Sequence, residues 1–505
     1  MSDKSLERHD WGIRNLISLL RNPISLAGEA FAAVSLANIV FLFLVDVLSS
    51  QPSPYVGILA YMVAPGCLIL GLLLILVGVL VERRHRYLRA AGQPPAYPRL
   101  DLNLPEQRSA LAFFLSFVVV FVLISVLGSY RAYEFTDSVQ FCGQLCHRVM
   151  NPEFVAYSQS PHARVRCVDC HVGAGAGWYV RSKLSGARQV YATIFHKFPQ
   201  PIPTPVQNLR PAQGTCEQCH WPRKFVGDQY KSITHFGTDE KNTPRQIRLL
   251  IRTGGGDPTT GVATGIHWHM NIGTEITYAV TDPTREKIDW VQTRNLATGA
   301  VTVYKAGDAA ETDAQLAAAP KRRMDCIDCH NRPTHIYVPP DRSVDQSLLA
   351  GRLDPAVPFL KQQAVAALTG DYNTTPEALQ KIERSLRDFY AKYPTLPPAA
   401  LNNTIQEVQR IYSSSIFPEM KVDWRTHPDN IGHFYFPGCF RCHDGQHMNA
   451  QGKALTNDCT TCHLFIGQET GTARTDIVGQ KFDHPGGELP EGVKCMDCHS
   501  GGVGP

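Results

Sequence analysis

The chain has 505 residues, of which 44% are hydrophobic and 19% charged, and its formal net charge is +4. This length allows several domains, and most of the apolar excess lies before residue 131. The small net charge, and the lack of a phosphate-binding glycine loop or a basic and aromatic array, argue against a nucleic-acid partner.

The amino-terminal segment, residues 1–27, mixes apolar and basic residues. Trp11 and Leu16 lie among Arg8 and Arg14 within residues 5–20. This pattern predicts an amphipathic helix on the surface of a lipid bilayer, with a disordered tail as the alternative.

Three apolar stretches between residues 28 and 131 are each long enough to cross a hydrocarbon core, which takes about 20 helical residues. They lie at 30–48, 55–81 and 110–130 and predict a membrane anchor of three helices. A cleaved signal peptide competes for the first stretch, but that stretch starts far from the amino terminus and no clear small-residue cleavage site follows it. Asp46, near the outer end of the first stretch, is a candidate for a quinone pocket, or else an interfacial side chain that reaches water.

Basic residues flank these stretches unevenly. Four precede the first stretch and six lie between the second and the third, whereas the turn at 49–54 has none. Since basic residues near span ends stay in the cytoplasm, we predict that everything after residue 131 is outside. The predicted location is the bacterial inner membrane, with the bulk of the chain in the periplasm.

Fourteen of the fifteen cysteines form seven motifs in which two cysteines are followed at once by a histidine. These motifs are Cys142/Cys146/His147, Cys167/Cys170/His171, Cys216/Cys219/His220, Cys326/Cys329/His330, Cys439/Cys442/His443, Cys459/Cys462/His463 and Cys495/Cys498/His499. In this signature both thiols add to the haem vinyl groups and the adjacent imidazole ligates iron, so the pattern predicts seven c-type haems. Disulfides and zinc sites also use paired cysteines, but neither requires a histidine directly after the second. The first motif has three residues between its cysteines where the others have two.

A second axial ligand is needed at each low-spin haem, and it is usually another imidazole. Ten histidines beyond the anchor lie outside the motifs, namely His162, His196, His235, His267, His269, His335, His427, His433, His447 and His484. Either His267 or His269 could reach the fourth haem, and the last four histidines are candidates for three positions in the final group. His235 is a further candidate ligand. Spacing alone does not choose the partners.

Periodicity predicts the structure between the motifs. Short β-type runs at 275–280, 287–291 and 301–304 predict a small antiparallel sheet within an insertion at about 225–310. A cysteine-free region at 341–420 has apolar residues at helical spacing and predicts a helical connector. Residues 421–505 hold three motifs and little polypeptide for a core, so we predict a trihaem domain of coil around the haems. The predicted fold class is a mainly α multihaem cytochrome c with little regular structure in its haem-packed periplasmic domain.

The arrangement from Cys142 to His335 resembles the NapC/NirT family of membrane-anchored quinol dehydrogenases. The matching features are an apolar stretch that ends just before the first motif, Met150 and Glu153 after it, His162 before the second motif, Lys183 after it, and the run Cys-Ile-Asp-Cys-His-Asn-Arg-Pro-Thr-His at 326–335. The resemblance covers roughly residues 110–220 and 320–336.

This resemblance implies a tetrahaem domain at 132–340 whose first haem lies beside the membrane and takes electrons from menaquinol or ubiquinol. It implies His147 or Met150 as ligand of the first haem, His335 at the second, His162 at the third, and Lys183 in the quinone site. An acidic residue expected about two turns beyond Lys183 is missing, since residues 185–199 contain no carboxylate.

Together these features predict a membrane-anchored heptahaem cytochrome c that oxidises quinol at the periplasmic face. Its electrons would pass to periplasmic cytochromes or a reductase in anaerobic or extracellular respiration. The alternatives are a non-catalytic electron-transfer subunit of a larger respiratory complex, electron flow in reverse into the quinone pool, and a terminal multihaem reductase. The last needs an open iron position, yet ten spare histidines suffice to fill all seven.

Overall fold

A computed structural model describes most of the chain, and its internal contacts divide it into two units, Met1–His147 and Arg148–Pro505. The described residues are 18–48, 63–89, 102–145, 147–173, 176–206, 209, 211–221, 227–255, 265–270, 273–309, 311–471, 473–476, 482, 484, 487–488, 490 and 492–502. Residues 1–17 of the predicted amphipathic segment therefore lie outside the described residues, as does the turn at 49–54.

Long helices cover the first and third predicted membrane stretches of the first unit and residues 64–81 of the second, whose residues 55–62 lie outside the described residues. Their bounds are Pro23–Leu48, Ala64–Arg89 and Pro105–Thr136. The first two contain candidate membrane spans, Pro23–Leu42 with a mean hydropathy of 1.7 and Ala64–Tyr87 with 2.8. The third helix begins with proline, whose missing N–H is not needed at the first helical position. Its role as a third span stays a prediction.

Small residues bring the first two helices close together. A side chain at Gly71 would meet the backbone of Ala32 at 2.8 Å, and one at Gly28 would meet the backbone of Ile75 at 2.7 Å. The Ser25 hydroxyl donates to the carbonyl of Ile75 at 3.3 Å. Small and hydroxyl-bearing residues at a contact are typical of helices that associate in lipid, where no hydrophobic force drives them together.

The described part of the second unit contains two antiparallel sheets built from nine strands. In chain order the strands are β1 (Gln229–Phe236), β2 (Pro244–Ile251), β3 (Thr274–Ala279), β4 (Trp290–Asn295), β5 (Val301–Ala306), β6 (Lys321–Arg323), β7 (His447–Asn449), β8 (His463–Thr470) and β9 (Ala473–Asp476). One sheet has the order β1-β2-β8-β9 and the other β6-β3-β4-β5-β7. The predicted small antiparallel sheet is confirmed as β3, β4 and β5.

Strands from the last sixty residues of the chain complete both sheets. Strand β8 follows directly on the sixth motif and pairs with β2, from Arg245 opposite Thr470 to Ile251 opposite His463. Strand β7 pairs with the edge of β5. The insertion and the carboxy-terminal trihaem region are therefore joined by backbone hydrogen bonds. The β1–β2 hairpin was not predicted, because charged and polar residues interrupt its apolar alternation.

The predicted helical connector consists of four helices around an apolar core. They are Pro340–Leu349, Leu360–Leu368, Thr375–Tyr390 and Pro398–Ser415. Side chains at the predicted helical spacing are buried, among them Leu360, Ile382, Leu386 and Val408, none more than 1% exposed. Thr374 begins the third helix, since its side chain accepts the N–H of Glu377 and Pro follows at an early position.

The turn between β1 and β2 is anchored on this connector by Asn242. This residue is fully buried and has a φ of 48°, which asparagine tolerates better than most residues. Its side-chain amide donates to the carbonyls of Pro355 and Val357 at 2.9 and 2.8 Å, and its oxygen accepts the N–H of Lys361 at 2.8 Å. The β1–β2 hairpin, whose strand β2 pairs with β8, is thus fixed to the connector at its turn.

Candidate haem-binding sites

Four of the cysteine pairs lie on single helical turns. These turns are Cys167–His171, Cys326–Cys329, Cys459–Cys462 and Cys495–Cys498. In three of them an aspartate precedes the second cysteine and accepts the backbone N–H of the residue before the motif, with Asp169, Asp328 and Asp497 at 3.2, 2.8 and 2.8 Å. Residues three apart share one side of a helix, so this capped turn presents both thiols to the same space.

The third motif departs from this pattern at Cys219, which was predicted as a haem-attachment residue. The helix Gln213–Cys216 ends at the first cysteine of the motif, so Cys219 lies beyond it in a turn, where its N–H donates to the carbonyl of Cys216 at 3.1 Å. Cys219 is exposed, whereas Cys216 is partly buried. This motif has Gln218 before its second cysteine, where three of the helical turns have an aspartate. Haem attachment at Cys219 stays a prediction.

Two further attachment cysteines are exposed, Cys459 and Cys498. Both belong to helical turns that keep the usual spacing, and their partners Cys462 and Cys495 are partly buried. In each of these three motifs one thiol thus faces the interior of the unit and the other lies at its surface. Haem attachment at these positions would place one edge of the porphyrin toward solvent.

Six of the seven motif histidines each lie opposite a histidine from outside the motifs. The pairs and their ring-centroid separations are His171–His335 at 6.3 Å, His162–His220 at 6.0 Å, His267–His330 at 6.4 Å, His269–His443 at 5.9 Å, His433–His463 at 6.1 Å and His484–His499 at 6.3 Å. In each pair, the histidine from outside the motifs comes from a different segment of the chain than the motif histidine.

These separations fit an iron atom between the two rings. A metal–imidazole bond is about 2.0 Å and the ring centre lies about 1.1 Å behind the nitrogen, so two opposed imidazoles on one iron have centres about 6.2 Å apart. The observed range of 5.9 to 6.4 Å brackets that value. Ring stacking in direct contact would instead give shorter separations, as between His433 and Phe440 at 4.2 Å.

Hydrogen bonds set the ligating nitrogen in several of these rings. His267, His269, His335 and His443 each use Nδ1 against a backbone carbonyl, at 2.8, 2.7, 3.0 and 2.7 Å. A ring that donates from Nδ1 carries its lone pair on Nε2, the tautomer that binds a metal. Backbone carbonyls are the usual orienting partners of metal-binding histidines, so these contacts suit iron ligands.

Burial favours the neutral form of several of the paired rings. It lowers the pKa of His171, and the neighbouring His335 imidazole lowers that pKa further. The pKa of His269 is likewise lowered by burial, although a hydrogen bond to Ile266 opposes the shift. The neutral imidazole is the form that ligates a metal, so these environments favour binding.

The remaining non-motif histidines differ from the paired ones. His447 is buried with both nitrogens engaged, Nδ1 with Asp444 at 3.0 Å and Nε2 with the carbonyl of Ile288 at 2.8 Å. It was predicted as a ligand, but this arrangement leaves it no lone pair for iron, so we assign it a structural role. His196 is exposed and adopts a φ of 53° beside Phe198.

His235 and His427, also predicted as ligands, face no motif histidine at the pairing distance among the described residues. His235 bonds through Nδ1 to Asp345 at 3.0 Å and stacks on Phe434. His427 bonds through Nδ1 to the Thr204 hydroxyl at 3.2 Å, and its Nε2 is buried without a hydrogen-bond partner in the described part of the chain. Burial lowers the pKa of His427 to about 4.

The pair His267 and His269 serves two motifs rather than one. The 3-10 helix Ile266–His269 turns the two rings toward different partners, His267 toward His330 of the fourth motif and His269 toward His443 of the fifth. The sequence suggested that either ring could reach the fourth haem, on the assumption of an extended strand with both rings on one side. The helical turn separates them.

The motifs follow one another in space in the order of the sequence. Cysteines of successive motifs lie near one another, and Cys216 and Cys326 are joined by a hydrogen bond. The interacting thiols are Cys170–Cys216, Cys216–Cys326, Cys329–Cys439, Cys439–Cys462 and Cys459–Cys495. The second to seventh motifs thus form a continuous row.

Several predicted residues of the first haem and the quinone site fall outside what the structure describes. Cys146 is not described, and the side chains of His147, Lys183 and Asp46 are not described although each lies in a helix. Cys142 and Met150 are both partly buried. The choice between His147 and Met150 and the quinone assignments of Lys183 and Asp46 stay predictions.

Glu153 holds one of the paired rings in place. Its backbone carbonyl accepts from Nδ1 of His335 at 3.0 Å, and its carboxylate accepts from the Tyr337 hydroxyl at 2.8 Å and from Arg332 at 3.4 Å. Burial raises the pKa of Tyr337, and the Glu153 charge raises it further. Sequence reasoning noted Glu153 only as part of a resemblance. Its position shortly after a motif histidine gives no sign of this contact.

Comparison with known proteins places these features in a family. Residues 104–202 match the N-terminal region of the NapC/NirT cytochrome c family. The chain is 44% identical over 506 residues to cytochrome c-type protein ImcH of Geobacter sulfurreducens, which covers 98% of this chain and 99% of that protein. No solved structure matches. With its cysteine and histidine motifs and two candidate membrane helices, the chain belongs to the NapC/NirT family of membrane-type multihaem c-type cytochromes.

Proposed function

We propose that this protein carries seven covalent haems and oxidises menaquinol or ubiquinol at the periplasmic face of the inner membrane, from which electrons pass to a periplasmic redox partner. The observation that carries the proposal is the set of six opposed imidazole pairs. Each is spaced for one iron, and each includes the histidine of an attachment motif.

When bound, the haems supply one-electron redox centres whose potentials depend on axial ligation and on burial. The cysteines of each motif would fix a porphyrin covalently, and the two imidazoles of each pair would hold its iron. Carbonyls that accept from Nδ1 keep those rings in one orientation. The row of neighbouring motifs sets a short spacing from one centre to the next.

Quinol oxidation releases two electrons and two protons. The carboxylate expected about two turns beyond Lys183 is missing, so in this proposal Lys183 binds the quinol oxygen and the protons leave to water at the periplasmic face. The family resemblance implies quinol as the substrate. The periplasmic partner and the quinone type follow from the same resemblance.

The geometry favours an electron relay over a terminal reductase. A reductase needs an iron with an open position for its substrate, whereas the six described pairs place an imidazole on both sides. A non-catalytic subunit and reverse electron flow use the same pairs, and the activity experiment below separates the first of these from the proposal.

Haem content is the first test. Intact mass of the denatured protein should show seven covalent haems, and a pyridine haemochrome assay should agree with that number. EPR of the oxidised protein should show low-spin iron at six or more sites. Fewer than seven covalent haems would contradict the proposal.

Quinol oxidation is the second test. Full-length protein in lipid nanodiscs should oxidise a menaquinol analogue and reduce a soluble acceptor, and Lys183→Ala should lower that rate by about tenfold or more. Lys231→Ala, at an exposed position of β1, is the matched control and should leave the rate unchanged. A fully haem-loaded protein without quinol oxidation would instead support the non-catalytic subunit.

A further inference from the structure

The sixth site differs from the other pairs in how its two imidazole rings are held. The Nδ1 atoms of His433 and His463 are both buried, and neither has a hydrogen-bond partner in the described part of the chain. Among the described rings of the six pairs, these are the only two in that condition. A buried N–H without an acceptor costs free energy, so a site with two of them is expected to have a functional reason for them.

A bound haem does not change the surroundings of these two atoms. Iron binds Nε2 of each ring, so Nδ1 keeps its proton and lies on the side of the ring away from the iron. Protein atoms alone already close both Nδ1 atoms off from water. A water molecule or a haem propionate therefore reaches neither of them.

Aromatic side chains surround the same pair. The Phe440 ring stacks on His433 with a centroid separation of 4.2 Å. Phe465 meets the His463 ring edge-on at 5.1 Å, and Phe482 stacks on Phe465 at 5.3 Å. These apolar rings offer no hydrogen-bond acceptor, and surroundings of low polarity disfavour the extra positive charge of ferric iron.

The neighbouring fifth site has the opposite arrangement. Nδ1 of His269 donates to the carbonyl of Ile266 at 2.7 Å, and Nδ1 of His443 donates to the carbonyl of Thr456 at 2.7 Å. At least one ring makes such a bond at the second, third and fourth sites, through His335, His162 and His267. The fifth and sixth sites thus differ by two hydrogen bonds to their axial rings.

Hydrogen bonds at Nδ1 decide how strongly an imidazole donates to iron. A ring whose N–H is bonded to a carbonyl gains electron density and stabilises ferric iron, which lowers the reduction potential. A ring without an acceptor donates less and favours ferrous iron. Charges near the fifth site oppose each other, since Arg441 precedes Cys442 and Asp444 follows His443. The hydrogen bonds therefore set the difference between the two sites.

We infer that the sixth haem site has a higher reduction potential than the fifth, so that an electron at the fifth site moves on to the His433–His463 pair and is held there. Contact between the two sites is direct, because Phe440 belongs to the fifth motif and stacks on His433 of the sixth pair. One electron is transferred, which oxidises the fifth iron and reduces the sixth, and no bond forms or breaks. The inference rests on the covalent haems of the proposed function but not on quinol as the donor.

Potentiometric titration followed by EPR tests the inference on the full-length, haem-loaded protein in nanodiscs. The two sites are distinguishable, because the ring planes meet at 84° in the fifth pair and at 27° in the sixth. Perpendicular planes leave the iron dπ orbitals nearly degenerate and give a highly anisotropic low-spin signal, whereas planes close to parallel separate these orbitals and give a rhombic signal. His269→Ala should remove an anisotropic signal and His433→Ala a rhombic one, which assigns both signals in the native spectrum.

As the native protein is reduced, the rhombic signal of the sixth site should disappear at a higher potential than the anisotropic signal of the fifth. At the potential that reduces half of the sixth site, the ratio of reduced to oxidised iron should be at least about tenfold lower at the fifth. Equal ratios, or earlier reduction of the fifth site, would overturn the inference. Intact mass of the same sample counts the haems, so a haem deficit contradicts the proposed function, whereas a reversed order with seven haems contradicts only this inference.

Phe465 variants test the cause with both ligands in place. Phe465→Asn brings an amide oxygen beside the His463 ring and should lower the ratio of reduced to oxidised iron at the sixth site by about threefold at that potential. Phe465→Leu is the matched control, because it keeps the surroundings apolar and should leave the ratio unchanged. A ratio that is equally unchanged with asparagine would overturn hydrogen bonding and polarity as the cause.

Discussion

At the scale of single residues, the two nitrogens of each histidine ring distinguish a ligand from a structural group. In His267 the Nδ1 nitrogen is occupied by the carbonyl of Thr253, and the ring lies opposite His330 at a spacing that suits iron. In His447 both nitrogens are used by protein groups. Sequence spacing treats these two residues alike, although their surroundings give them different chemistry.

Replacement of His267 should change the iron of the fourth site. In His267→Ala one low-spin signal should disappear from the EPR spectrum and a high-spin signal should replace it, because the iron loses one axial imidazole. His267→Met should keep the iron six-coordinate and raise its potential, which separates a lost ligand from a lost fold.

The matched control for this prediction is His447→Asn. All low-spin signals should remain, while the free energy of unfolding should fall by about 2 kcal/mol, because buried partners of the ring lose their hydrogen bonds. High-spin iron in the His447 variant, with an unchanged spectrum in His267→Ala, would reverse the two assignments.

At the scale of elements, the helical connector and the β1–β2 hairpin support each other. Glu407, in the last connector helix, accepts from Ser347 of the first at 2.6 Å and from Arg352 at 2.8 Å. Asn242 ties the hairpin turn to the same group of helices. Strand β8, which follows the sixth motif, pairs with this hairpin. The connector is therefore linked to the last motifs through the hairpin as well as through the continuous chain.

The connector should lose stability in acid. Burial raises the pKa of the Glu407 carboxyl, but hydrogen bonds from Arg410, Ser347 and Arg352 lower it more, to about 2 from the usual 4.5. A carboxyl with a depressed pKa contributes stability that is complete above pH 4.5 and is lost as the pH falls toward 2. Helix melting followed by circular dichroism should therefore shift to lower temperature across this window.

Glu407→Gln should flatten that pH dependence, because the glutamine amide does not titrate. Glu383→Gln is the control. Glu383 lies in the connector helix Thr375–Tyr390 and forms an exposed ion pair with Arg387 of the same helix. The same pH dependence in the Glu407 variant as in the native protein would show that other carboxylates cause the acid loss.

The turn at Asn242 should be sensitive to substitution. Asn242→Ala removes three hydrogen bonds and places alanine, which tolerates a positive φ less well than asparagine, at a φ of 48°, so the free energy of unfolding should fall by about 3 kcal/mol. Asn242→Gly relieves the backbone conformation alone and should recover only about 1 kcal/mol of this loss. Full recovery with glycine would mean that the hydrogen bonds contribute little. Denaturant unfolding at neutral pH provides the measurement.

At the scale of the whole molecule, the second to seventh motifs form one row inside a single unit, although the sequence suggests a tetrahaem domain and a separate trihaem domain. Both sheets combine strands from the insertion with strands from the last sixty residues. The boundaries predicted at 340 and 420 remain useful for naming segments, but backbone pairing crosses them. We expect the haem-bearing unit to unfold as one cooperative body.

The orientation of the chain across the membrane is a second prediction for the whole molecule. Protease added to spheroplasts should cleave the chain after residue 131 and leave the basic link at 83–108 intact, because that link is predicted to be cytoplasmic. Protease added to inverted membrane vesicles should give the opposite result. Cleavage of the link in spheroplasts would place the haem motifs in the cytoplasm, where covalent haem attachment does not occur.

The sequence predicted the connector helices well and the sheets only in part. Val357, Leu360 and Ile382 follow a helical period that depends on neighbours three or four residues away, so a local pattern was enough. The β1–β2 hairpin was missed, because Lys231 and Arg245 interrupt its alternation and its stability comes from β8, more than two hundred residues later. Glu153 was likewise beyond prediction, since its partner His335 is distant in sequence.

By itself, the sequence determined the seven attachment motifs, which stretches are apolar enough for lipid, and where helices form, because each depends on residues within one or two turns of one another. Only the tertiary structure decided which histidine faces which motif, that His267 and His269 serve different sites, that His447 bonds to protein groups instead, and that Cys219 lies at the surface. Opposed histidines lie up to 174 residues apart in the sequence, as with His269 and His443, and the path of the chain between them is fixed by long-range packing rather than by local spacing.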